Sequence, residues 1–234
     1  MWVQDFDGPE GQRPDPRVWT HDLGGGGWGD RQRQVYTDDA ANAALDGAGH
    51  LMITARRGVD GTITSARLTT RNSFATRYGR VEARIRVPGN RGTWPAFWML
   101  GTDIDEIGWP GCGEIDVMEH VGTDPRRSYG TVHGPGYSGL AGGIGRAIDA
   151  GTDLSDDFHD YAVVWDGSGI TWLLDGREHH RLEPSDVPGP WPFEHAFFLI
   201  INLAVGGDWP TQVTDDPDLP AGLMVDWIRV DALG

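Results

Sequence analysis

Apolar residues in this chain recur mostly at every second position, in short runs broken by glycine and proline. The clearest run is 80–87, where Val81, Ala83, Ile85 and Val87 alternate with Arg80, Glu82, Arg84 and Arg86. A period of two places the aliphatic set on one face of a strand and the charged set on the other. The aliphatic face must enter a core, and the charged face looks to water or into a polar cleft. Similar runs predict strands near 50–56, 62–71, 94–100, 128–133, 160–165, 169–175, 196–203 and 223–230. With 35 Gly and 15 Pro and no long 3.6-residue period, the predicted class is all-β, a sandwich or barrel. Asp175-Gly176 reads as a hairpin turn, because that pair accepts positive φ. One helical turn is expected near Ser155 to Phe158, and the glycine runs at 24–27 and 139–145 read as flexible loops. The length of 234 residues suits one domain, 1–234, and no internal repeat or linker interrupts it.

The run GEIDVMEH at 113–120 changes this picture. Glu114 and Asp116 share one face of a strand, while simple alternation sends Glu119 to the other. One extra residue, a bulge near Val117 or Met118, would return it. Gathered carboxyls repel each other, but a glycosidase needs a nucleophile and a general acid flanking a sugar bond. Four strand steps span about 13 Å, a gap two Glu side chains can close over a concave sheet. A carboxyl separation of about 5–5.5 Å would fit retention of configuration, and about 6.5–9.5 Å inversion. On this reading Glu114 is the nucleophile and Glu119 the general acid, then base. Asp116 hydrogen-bonds a neighbouring carboxyl and keeps the two pKa values apart. From spacing alone, a solvated acidic strand or a cation site fits equally well.

Trp94, Trp98 and Trp109 precede Glu114 by twenty residues or fewer. Indole rings bury the apolar faces of sugar rings as they bury other apolar surface. The core is expected to absorb many of the 11 Trp, among them Trp165, Trp172 and Trp227. A net charge of −16 disfavours nucleic acid, anionic membranes and polyanionic substrates, and favours a neutral polysaccharide. All 19 basic residues are Arg, which reads as codon bias. No run approaches the roughly eighteen apolar residues of a membrane span. The single cysteine, Cys112, is expected to be a small buried hydrophobe.

EIDVMEH resembles the catalytic signature of glycoside hydrolase family 16, in the form E-x-D-x-x-E of laminarinase-like endo-1,3-β-glucanases. Further stretches resemble family landmarks in order: QDFDG, YGRVEARIRVP (78–88), TWPAFWMLG (93–101), WPGCGEIDVMEH (109–120), TVHGP (131–135), FHDYAVVWD (158–166), INLAVGGDWP (201–210) and MVDWIRV (224–230). The resemblance implies a jelly-roll sandwich of two curved antiparallel sheets with a substrate cleft on the concave face. It implies retaining endo-hydrolysis of β-glucan by Glu114, Asp116 and Glu119. It places Trp94, Trp98 and Trp109 against sugar, His133 on the neighbouring strand near the acid/base, and Arg84 in the cleft. WGDRQRQ at 28–34 departs from a common WGNNELQ, so Gln32 stands where Glu is usual and substrate preference on that side is open.

No cofactor is expected for catalysis. The resemblance implies a structural calcium, with Asp7, Gly49 and Asp226 as candidate ligands; a salt bridge from Asp226 to a neighbouring Arg is the alternative. His179 and His180 point to opposite faces of a strand, and His120 reads as packing. A monomer is expected. No signal segment is visible, and Met1 is expected to replace a removed leader, because polymeric glucan cannot cross a membrane and implies secretion. Two other readings stay open. One is a non-catalytic glucan-binding module on the same sandwich. The other is a hydrolase of mixed-linkage glucan or a galactan; the extra Met118 argues against typical lichenases.

Overall fold

The computed structural model describes residues 1–26, 28–209 and 217–233. Gly27, within the glycine run at 24–27, and Pro210, which ends the 201–210 motif, lie outside the described residues.

The strands form two large sheets. One is eight-stranded and runs, edge to edge, Ile144–Asp149, Arg127–His133, Glu114–Glu119, Thr93–Gly101, Phe197–Val205, Arg67–Thr69 and Thr20–His21, with Ala75–Thr76 also on Phe197–Val205. The other is ten-stranded and centres on Gly79–Arg86, Ala221–Asp231 and Leu51–Arg57. Among the described residues, pairing is antiparallel except between Val35–Tyr36 and Ile63–Ser65. The predicted run 62–71 is two strands, Ile63–Ser65 and Arg67–Thr69, one in each sheet. The chain changes layer at Ala66, where Ser65 Oγ donates to the Leu203 carbonyl at 2.7 Å.

Alternation decides what each layer buries. In Thr93–Gly101, Phe97 and Met99 enter the core between the sheets, whereas Trp94, Ala96, Trp98 and Leu100 line the outer face. In Phe197–Val205, Leu199, Ile201 and Leu203 point inward and Asn202 and Ala204 outward. The ten-stranded sheet contributes Val81, Ala83, Ile85, Tyr161, Val163, Trp165 and Trp172 to the same cluster. Asp175 (φ 50) and Gly176 (φ 74) form the expected hairpin turn.

Several expectations fail for identifiable reasons. Residues 154–157 form turns and bends, and the α-helical turn lies instead at Ile104–Ile107. The loop read at 139–145 gives way to a strand at Ile144. Arg84 lies on the ten-stranded sheet, away from the cleft, and pairs with Asp160 at 3.1 Å and Asp226 at 3.2 Å. Alternation showed that its strand has a charged face but not which layer the strand joins. Trp227 is only half-buried, because a register shift between Val225 and Trp227 turns the indole outward, under Arg229.

Candidate active site

The acidic strand Glu114–Glu119 is bulged at the place predicted. Against the preceding strand, Met118 faces Phe97 and Asp116 faces Trp98, so Val117 is the extra residue. Both Val117 and Met118 enter the core, and Glu114, Asp116 and Glu119 all face one cleft of about 800 Å³. The bulge is held from the opposite layer. Trp172 Nε1 donates to the Asp116 carbonyl at 2.7 Å, across the core. Gly130, on the adjoining strand, makes room: a Cβ there would stand 2.2 Å from the Trp172 ring.

Two of the three tryptophans grip the acids. Trp94 Nε1 donates to Glu119 Oε1 at 3.0 Å, and Trp109 Nε1 donates to Glu114 Oε2 at 2.6 Å. Trp94 is nearly buried against Trp209, while Trp109 is half exposed at the cleft wall. Trp98 instead donates to Asn202 Oδ1 at 2.7 Å and carries Arg67 over its ring. His133 lies opposite Glu114, with Nε2 3.2 Å from Asp116 Oδ2 and 4.0 Å from Glu114 Oε1. It therefore stands at the Glu114 end of the trio, not at the Glu119 end expected for it. Gln32 lines the cleft and accepts from Gln34 Nε2 at 2.8 Å.

Burial raises all three carboxyl pKa values, and repulsion adds to it for Glu114 and Glu119. Glu114 is pushed up to about 8 by desolvation and by the charge of Asp116; His133 and the Trp109 N–H pull the other way. Desolvation pushes Asp116 up to about 7, and a hydrogen bond shared with Glu114 opposes it. Glu119 is raised well above its ordinary value by burial, then by Asp116 and Glu114. With all three raised, the trio holds on to protons near neutral pH, which lets one acid keep a proton while another is a carboxylate. That division of labour is what double displacement requires.

Composition did not single out Asn202, Arg67, Tyr129 and Trp209, which also line the cleft. Trp209 packs edge-on against both Trp94 and Tyr129, and Tyr129 faces Glu119 from the next strand. Cys112 is buried with Leu100, Phe198 and Ile200, and burial raises its thiol pKa to about 11, so it is inert packing. His120 is buried, its Nδ1 2.9 Å from the Arg127 carbonyl, which fits the packing role expected of it.

Of the calcium candidates, Asp7 and Gly49 are neighbours: a Cβ on Gly49 would stand 3.6 Å from Asp7 Oδ1. Asp226 takes the salt bridge from Arg84 that was its alternative.

Known proteins agree with this geometry. A beta-glucanase of Rhodothermus marinus is 43% identical over 98% of this chain and 84% of its own length. The laminarinase catalytic domain of Thermotoga maritima superposes with a TM-score of 0.91 at 41% identity, covering 100% of this chain and 98% of that one. An endo-β-1,3-glucanase of Pyrococcus furiosus superposes at 0.89 with 39% identity, covering 99% and 93%. Residues 29–229 match the profile of Glycosyl hydrolases family 16, and the chain belongs to that family.

Proposed function

We propose that this protein is a retaining endo-β-1,3-glucanase. The observation that carries the reading is the bulged strand that turns Glu114, Asp116 and Glu119 into one tryptophan-walled cleft. Glu114, as carboxylate, attacks the anomeric carbon while Glu119 protonates the departing glycosidic oxygen. Water activated by Glu119, now the base, then cleaves the glycosyl ester and restores both groups. His133 and the Trp109 N–H favour charge on Glu114, and Asp116 stands between the two glutamates.

Hydrolysis of laminarin with a fast fall in viscosity, and β-anomeric new reducing ends by NMR, is the expected result. Binding of laminarin with no reducing ends released would select the non-catalytic module instead. Parallel assays on lichenan and agarose decide the linkage, which the altered loop from Asp30 to Gln34 leaves open.

We also propose a structural calcium at Asp7 and Gly49, with the bulged backbone at Asp226 supplying a carbonyl. It would neutralise charge and tie the amino-terminal segment to the sheet, and it takes no part in hydrolysis. Calcium should raise Tm over the EDTA-treated protein, and Asp7→Asn should lose that gain; equal Tm values would remove the ion.

A further inference from the structure

Among the described residues, one group of His, Cys, Asp and Glu side chains gathers three ligand atoms within 4.8 Å of one another: Glu114, Asp116 and His133. Their arrangement has features that sugar hydrolysis does not require. Asp116 is 3% exposed, yet its Oδ2 is buried with no hydrogen-bond partner. That atom lies 3.2 Å from His133 Nε2 without the alignment of a hydrogen bond. Trp109 holds Oε2 of Glu114, which leaves Oε1 toward the same His133 nitrogen, 4.0 Å away. Gly143 backs the imidazole so closely that a Cβ would stand 2.4 Å from its Cε1, which fixes the ring.

We propose that Glu114 Oε1, Asp116 Oδ2 and His133 Nε2 form an inhibitory site for a borderline divalent transition ion such as Zn²⁺, inside the catalytic cleft. Two oxygens and an imidazole nitrogen are a donor set for such ions and a poor one for Ca²⁺ or Mg²⁺. Donors around one tetrahedral zinc sit roughly 3.3 Å apart at ordinary bond lengths. The Asp116–His133 pair already has that spacing at 3.2 Å, and a small rotation of Glu114 brings in the third. The ion would neutralise the negative charge of carboxyls gathered at one spot. It would also occupy the nucleophile, so metal and glucan must exclude each other.

The test is calorimetric titration of EDTA-treated protein with ZnCl₂, and it reads the site whichever glucan is cleaved. One ion should bind, and a saturating oligosaccharide of whichever glucan the laminarin, lichenan and agarose assays show to be cleaved should abolish the binding. MgCl₂ should give no heat at the same concentrations. Glu114→Gln and His133→Ala should each weaken zinc about tenfold or more, with circular dichroism confirming that both fold. Asp60→Asn, on an exposed turn outside the cleft lining, should bind as the parent does. Absence of binding at millimolar zinc would overturn the proposal. So would binding that oligosaccharide leaves untouched, or that both cleft variants retain.

Discussion

At the scale of single residues, the site is a set of acids held where they are uncomfortable. Glu114, Asp116 and Glu119 are all raised above their ordinary pKa values by burial, and Glu114 and Glu119 also by the charge of their neighbours. The folded chain therefore keeps protons that the unfolded chain releases above about pH 4. Stability from these groups is present at low pH and declines as pH rises toward about 7 for Asp116 and about 8 for Glu114. Glu119→Gln should cut kcat by roughly 10²–10⁴-fold. The same variant should raise Tm at alkaline pH, a gain that fades near pH 4 in a calorimetric series. The indole N–H groups act the opposite way, favouring the charged carboxylates. Trp109→Phe should move the acid limb of the kcat/KM profile to higher pH, because Glu114 becomes harder to ionise. Trp94→Phe should move the alkaline limb upward through Glu119. Limbs unchanged in both variants would mean that these rings only pack.

At the scale of elements, the bulge is the decisive device, and it depends on a strand that never touches substrate. Trp172 reaches the Asp116 carbonyl only because Gly130 is bare on its core side. Gly130→Ala should cost about 1–3 kcal/mol through overpacking and lower kcat well below the melting range. Val132→Ala, on the same core-facing side of that strand, should lower Tm without a comparable fall in kcat. The same logic explains what could be read from the sequence. The acidic trio was legible because Glu114, Asp116 and Glu119 are neighbours, and one bulge reconciles their spacing with one face. Asn202, Arg67 and Tyr129 were not, because they come from separate strands that only the sheet order unites. Arg84 and Trp227 were misread for complementary reasons: alternation names a face without naming the layer, and a second bulge at Asp226 reverses the face itself. The unforeseen helical turn at Ile104–Ile107 has no buried residues, so it left no apolar period to read.

At the scale of the whole molecule, charge and layering set behaviour. A net charge of −16 surrounds a cleft that itself carries Glu114, Asp116, Glu119 and Asp30. Burial and the nearby Asp208 raise the pKa of Asp30, which marks that rim as poor ground for more negative charge. Carboxymethylated glucan should therefore show a higher KM than neutral glucan at low salt. The gap should narrow in about 0.5 M NaCl, where screening lengths fall to a few ångströms. Equal salt dependence for both substrates would count against electrostatic exclusion. The indole of Trp172 is rooted in the back wall of the sandwich, yet it braces the floor on which the reaction occurs. Chemistry in the cleft is thus tied to the integrity of a wall on the far side of the core from it. Gentle warming that loosens only that rear wall would idle the enzyme while most of the backbone still reads as folded, and cooling would restart it.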